Sequence, residues 1–198
     1  ISGCSLRHKT SLAPILTDMR IAVFCSSSPT IDAKYQEVAS QLGNAIGNQG
    51  WGLVSGGGHI STMGAIGRAV REVGGHTIGV IPQSLVDIEF ADRDSDELHV
   101  VESMRERKAK IEELADAFIT LPGGPGTLEE FFEIWVGRFL KFHDKPVLIL
   151  DPHGAFAPLV TLLDHLEAEG FVKPGQRELV TWCTSVEQAI EALAISDI

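Results

Sequence analysis

From residue 20 onward, short apolar runs alternate with stretches of helical periodicity. Residues 21–25, Ile-Ala-Val-Phe-Cys, predict a first strand. Residues 33–49 place Val38, Leu42, Ala45 and Ile46 on one helical face, and Gly50 stops that helix. Residues 52–55 read as a second strand, followed by Gly56, Gly57 and Gly58. A helix over 62–73 is ended by Gly74 and Gly75, and a strand over 76–81 is broken by Pro82. The segment 83–99 is polar and irregular, with a short strand expected at Val100 and Val101. A helix over 104–115, a strand over 117–121, a loop over 122–126 and a helix over 127–142 follow. The remainder reads as a strand at 146–150, a helix at 156–169 ended by Gly170, and a last helix at 186–194 with Ser185 as its N-cap.

Strands and helices in strict alternation imply a parallel sheet covered by helices on both faces, a Rossmann-like α/β fold. The strands are unbroken apolar runs, as expected when both faces of a sheet are buried. No internal repeat or linker interrupts the pattern. The expectation is therefore a single domain over residues 19–198, with 1–18 as a flexible tail. Ligands in such folds bind beyond the carboxyl ends of the strands.

Charge and cysteine content narrow the partners. The formal net charge of −11 repels duplex DNA and anionic membranes, so neither a nucleic-acid polymer nor a membrane is expected as a partner. A small anion remains compatible, because one pocket can be locally positive. Cys4, Cys25 and Cys183 form no disulfide framework and no zinc spacing, which points to a reducing cytoplasm. His59, His76, His99, His143, His153 and His165 show no metal-binding spacing, so no metal and no cofactor is expected.

Two glycine-rich loops occupy the ligand edge of the predicted sheet. One is Ser55, Gly56, Gly57, Gly58 and His59; the other is Pro122, Gly123, Gly124, Pro125, Gly126 and Thr127. Each joins a strand to a helix, where unpaired N–H groups and the helix dipole favour a phosphate. Neither is a Walker motif or a spaced dinucleotide fingerprint. The helix from Met104 carries Arg105, Arg107, Lys108 and Lys110 in its first two turns. Such a run is ordinarily a solvated charged face, but cations there oppose the helix dipole, which makes anion recognition more attractive than usual. Glu129 and Glu130 fall in the first turn of the next helix, where they complement the dipole; adjacent helical residues diverge by about 100°, so one of them can face a pocket. Phe131, Phe132, Trp135 and Phe139 on that helix suit core packing or a dimer interface better than base stacking.

The run Pro122 to Glu130, P-G-G-P-G-T-L-E-E, resembles the signature of the LONELY GUY family, and Met104-Arg105-Glu106-Arg107-Lys108 is similar to its M-x-x-R-K. The likeness continues through Val23 to Ser28, Ser55 to Gly58, Ile78 to Pro82, Ala115 to Phe118 and His143 to Val147. It covers residues 19 to about 180. Ser26, Ser55 and Val136 depart from the family pattern, as does the run Ile60 to Gly64, which bears on substrate preference rather than on reaction type.

The resemblance implies hydrolysis of the N-glycosidic bond of N6-substituted adenosine 5'-monophosphates, releasing a cytokinin base and ribose 5-phosphate. It implies Arg107 and Glu130 as the catalytic pair. Glu89, Arg107, Lys108, Gly123, Gly124, Pro125, Gly126, Thr127, Leu128 and Glu129 are its implied substrate-binding positions. It further implies a homodimer. The older label of lysine decarboxylase finds no support in these residues. Two other readings stay open: a non-catalytic nucleotide or cofactor carrier of the same fold, and a broader nucleosidase acting on AMP.

Overall fold

The computed structural model describes residues 19–86 and 90–195. Along the chain run β1 (Arg20–Phe24), α1 (Ala33–Asn48), β2 (Gly52–Ser55), α2 (Ser61–Glu72), β3 (Thr77–Pro82), β4 (Glu97–Val101) and α3 (Met104–Leu114). They are followed by β5 (Ala117–Thr120), α4 (Pro125–Phe139), β6 (Val147–Leu150), α5 (Ala157–Ala168), β7 (Val180–Cys183) and α6 (Val186–Ile195). Single 3-10 turns lie at Gln83–Leu85 and Arg177–Leu179. The tail expected at 1–18 lies outside the described residues.

All seven strands join one parallel sheet in the order β4-β3-β2-β1-β5-β6-β7. The chain starts at the centre, winds outward to β4, then returns to the other side of β1 as β5. The reversal opens a crevice at the carboxyl ends of β1 and β5, the usual ligand position in sheets of this topology.

Side-chain alternation along each strand makes two cores. Ile21, Val23, Leu53, Ala117, Ile119, Leu148 and Leu150 face α1, α2 and α6. Ala22, Phe24, Val54, Ile78, Val80, Phe118 and Ile149 face α3, α4 and α5. Burial on both faces explains the unbroken apolar runs. On the first face α1 and α2 approach closely through glycine: a Cβ on Gly43 would sit 2.6 Å from the Ile66 carbonyl oxygen, and one on Gly47 would sit 2.4 Å from a Val73 methyl.

Helix ends follow local chemistry. The Asp32 carboxylate accepts from the Lys34 amide and caps α1, and the Ser185 hydroxyl accepts from the Gln188 amide at 3.3 Å ahead of α6. Helix α4 begins two residues earlier than the sequence pattern suggests, at Pro125, a residue suited to a first helical turn because its missing N–H would be unpaired there anyway. It stops at Phe139, short of residue 142. Lys141 takes a left-handed φ of 63° and the Phe142 amide donates back to the Gly137 carbonyl. Both edge strands differ from expectation. β4 starts at Glu97, inside the stretch read as irregular, because an exposed edge accepts Glu97 and His99. β7, four residues long, has no counterpart in the sequence reading.

Candidate functional site

A cavity of about 350 Å³ opens in the crevice between β1 and β5. Its floor is Val23, Phe24 and Cys25 at the end of β1, continued by Ser26, Ser27 and Ser28; one wall is the start of α4. Glu129 and Glu130 line it from α4, Met104 and Arg107 from α3, and Met63 and Leu85 close it with apolar surface.

The start of α4 is open to a ligand. Gly124 precedes the helix and supplies no side-chain cap. Gly124, Pro125 and Gly126 are exposed. The first-turn N–H groups of Gly126 and Thr127 have no carbonyl partner within the helix, so they and the positive end of the dipole present an anion site. Thr127 lines the cavity from the first turn of α4. It is buried, and its Oγ1 donates to the Cys25 carbonyl at 3.1 Å, tying α4 to the end of β1. Gly123 lies behind the loop with its Cα against the Thr127 side chain, leaving no room for a Cβ.

Arg107 is 5% exposed, an unusual burial for an arginine. Its Nε donates to the Val80 carbonyl at 3.2 Å, and its Nη2 to the Gly56 carbonyl at 2.8 Å. Its Nη1 approaches the Met104 sulfur at 3.7 Å. These carbonyls fix the plane of the guanidinium. The start of α3 is stabilised elsewhere: Ser103 Oγ accepts from the Glu106 amide, and the Glu106 carboxylate accepts from the Glu102 amide. That reciprocal cap offsets the cations crowded into the first turns.

Cys25 is a buried residue on the cavity floor. Burial pushes its thiol up to about 12, with the Thr62 hydroxyl pulling the other way, the negative charge of Glu130 adding to the rise and the positive charge of Arg107 opposing it. Both charges therefore reach the same point at the end of β1. The thiol stays protonated and non-nucleophilic at neutral pH.

The remaining sequence candidates divide. Lys108 does not line the cavity. Its ammonium donates to Glu129 and pairs with Glu133, and these carboxylates hold its pKa above the ordinary lysine range. Leu128 packs on the second core. Glu89 lies outside the described residues. Of the first glycine loop, only Gly56 reaches the cavity. Gly57 turns the chain at φ 74° and its carbonyl accepts from the Asp92 amide, while Gly58 bridges to Ala91, so this loop joins neighbouring backbone rather than presenting a helix start. Phe131 and Trp135 are buried and stack on each other at 5.5 Å, and the Trp135 indole donates to the Gln176 carbonyl. Met63, Leu85 and Met104 escaped the sequence reading as cavity residues, since isolated apolar side chains carry no spacing signal. Among the described residues no cluster of three or more His, Cys, Asp or Glu side chains is arranged to hold a metal. No helix among them is long and apolar enough to cross a membrane.

Comparison with known proteins adds three findings. Residues 63–193 match the family described as "Possible lysine decarboxylase". A Mycobacterium tuberculosis protein named cytokinin riboside 5'-monophosphate phosphoribohydrolase is 47% identical over 182 residues, spanning 92% of this chain and 97% of its own. An Arabidopsis thaliana protein of the same name is 39% identical over 174 residues, spanning 88% of this chain and 81% of its own. Among solved structures, the molybdenum cofactor carrier protein of Chlamydomonas reinhardtii superposes with a TM-score of 0.66 at 26% identity, over 90% of this chain and 97% of its own. The molybdenum cofactor binding protein of Rippkaea orientalis, at 22% identity and a TM-score of 0.68 over 90% of this chain and 96% of its own, shares the fold.

Proposed function

Because this chain belongs to the LONELY GUY family of cytokinin riboside 5'-monophosphate phosphoribohydrolases, we propose that it hydrolyses the N-glycosidic bond of N6-substituted adenosine 5'-monophosphates. The observation that carries the reading is the meeting of an uncapped helix start, a buried arginine and Glu130, in the second turn of α4, around one cavity at the sheet's switch point.

The chemistry follows from that arrangement. The 5'-phosphate sits on the amides of Gly126 and Thr127, within the loop Gly123 to Thr127. This sets the anomeric carbon against Glu130. As the bond from C1' to the base nitrogen breaks, positive charge grows on the ribose and the Glu130 carboxylate stabilises it. The base leaves with the bonding electron pair and takes a proton from solvent; water adds its oxygen to C1' and gives its proton to Glu130, which returns it to solvent. Arg107 orients the base and the water from its fixed position. Positioning of this kind supplies several kcal/mol of barrier reduction, of the order of the 7–11 available to well-oriented reactions. Glu129 lies at the rim, held from outside the cavity by Lys108.

A decarboxylase reading would call for pyridoxal phosphate bound to a lysine amine. Among the described residues no lysine lines the cavity, and Lys108 is held charged by Glu129 and Glu133, so these residues do not fit that group.

We place the enzyme in the cytoplasm as a homodimer. Two unpaired buried thiols, Cys25 and Cys183, suit a reducing compartment. Met104 on α3, Val136 on α4 and Leu140 just after it leave large apolar side chains exposed, at positions that a second copy of the chain could cover. Light scattering should give twice the chain mass; a monomer at micromolar concentration would remove the dimer.

The deciding experiment supplies isopentenyladenosine 5'-monophosphate, its unphosphorylated riboside and AMP, with products separated by chromatography. Base release from the first alone supports the reading. Equal turnover of the riboside removes the phosphate anchor, and equal turnover of AMP leaves a general purine-monophosphate nucleosidase. Similarity to the Chlamydomonas carrier supports a second reading, a protein that binds without catalysis. Tight nucleotide retention with no base released would favour it.

A further inference from the structure

Gly56 and Gly57 are neighbours in one loop, but they are glycines for different reasons. Gly57 has a φ of 74°, in the region that disfavours other residues. Gly56 has no such backbone requirement. Its constraint is space: a Cβ there would lie 2.0 Å from Arg107 Nη2 and 3.0 Å from Cζ. The guanidinium lies against the Gly56 Cα, takes the Gly56 carbonyl on Nη2 and takes the Val80 carbonyl on Nε. The backbone just past β2 and within β3 thus forms a slot that holds the charged plane in one orientation at the cavity wall.

We propose that Gly56 is a positioning residue for catalysis, acting through Arg107 by leaving its side-chain position empty. The inference rests on the role given to Arg107 above. A methyl group at position 56 occupies the place of Nη2. The obstructing atoms belong to the end of a flexible side chain, so the guanidinium swings aside, releases one or both carbonyls and loses its alignment with the reacting base while the sheet persists. A displacement of about 1 Å in such a group is enough for a loss on the order of 10²-fold.

The test is a cycle of Gly56→Ala, Arg107→Ala and the double variant, assayed for kcat and KM on isopentenyladenosine 5'-monophosphate, with melting curves for each protein. Gly56→Ala alone should lower kcat by about 10²-fold with KM within about threefold. Added to Arg107→Ala, which vacates the slot, it should cost less than about twofold more, the non-additivity expected of directly coupled residues. Wild-type kcat in Gly56→Ala, or the same loss in both backgrounds, would overturn the proposal. If the single variant fails to fold, recovery of folding in the double variant supports the slot, and failure of both overturns it. Full activity in Arg107→Ala would instead remove the role of Arg107 in the reaction. An Arg107-dependent enzyme indifferent to Gly56→Ala would remove only the slot.

Discussion

The Thr127 hydroxyl donates to the Cys25 carbonyl at 3.1 Å, joining the first turn of α4 to the end of the central strand 102 residues earlier in the chain. This bond sets the distance between the helix start and the cavity floor. In Thr127→Val the shape is kept and the donor is lost, leaving the buried Cys25 carbonyl short of a partner. Unmet buried groups of this kind cost about 1–3 kcal/mol. Urea unfolding should register that loss, and Thr127→Ser should recover most of it. Equal stability of Thr127→Val and the parent would show that the bond contributes nothing.

Glu130→Gln keeps size and hydrogen-bonding capacity but removes the charge. Turnover of isopentenyladenosine 5'-monophosphate should fall by about 10²–10⁴-fold, the range associated with loss of a positioned acid or base. The melting temperature should change little. Glu129→Gln, whose carboxylate is engaged at the rim by Lys108, should lose far less. The reverse order of the two variants would transfer the chemistry to Glu129.

Ser61 opens α2 with a φ of 57°, and its buried Oγ has no hydrogen-bond partner. Both features are unfavourable for serine: a left-handed backbone costs about 1–2 kcal/mol in a residue with a Cβ, and burial of an unpaired hydroxyl adds to that. Ser61→Gly removes both, against a greater entropy loss on folding of about 0.5–1 kcal/mol for glycine. The variant should be the more stable by up to about 1 kcal/mol. A lower melting temperature in Ser61→Gly would contradict this account.

The legible parts of this molecule were those with a repeating physical pattern. β1, β2, β5 and β6 stand out because strands buried on both faces must be apolar throughout. The edge strands lack that requirement. β4 carries Glu97 and His99 outward, and β7 exposes Thr181, so neither presents an unbroken run. At the site, the loop before α4 was readable because glycine, proline and threonine each have a distinct reason to precede a helix. Gly56 was visible as part of a glycine run, but its role depends on Arg107, 51 residues away, and sequence spacing cannot express that. The bond from the Thr127 hydroxyl to the Cys25 carbonyl was not legible, because a hydroxyl's partner is decided only by packing.

His143 links stability to pH. Its Nε2 lies 3.0 Å from the Ile134 carbonyl, which accepts a proton-bearing nitrogen, and its Nδ1 is buried without a partner. Burial lowers its pKa below the ordinary 6.5, against the opposing pull of the Ile134 carbonyl and of Glu112, while Lys145 and Arg138 lower it further. The folded state therefore resists protonation more than the unfolded chain does. The stabilising contribution is complete above 6.5 and is lost as pH falls through the interval between the unfolded and folded values. Urea titrations of the parent and His143→Gln should diverge as pH drops from about 7, with the parent losing stability faster. Parallel curves would exclude His143 as the titrating group.

The order of the strands has a mechanical corollary. Arg107 is seated on carbonyls from the loop after β2 and from β3, to one side of β1, whereas Glu130 belongs to the helix that leaves β5, on the other side. On the proposed reading, a nucleotide bound in this cavity spans the seam along the central strand. Its occupancy would lash the two flanks together, so that they separate as one cooperative body on unfolding and any loosening of that strand is felt first in turnover.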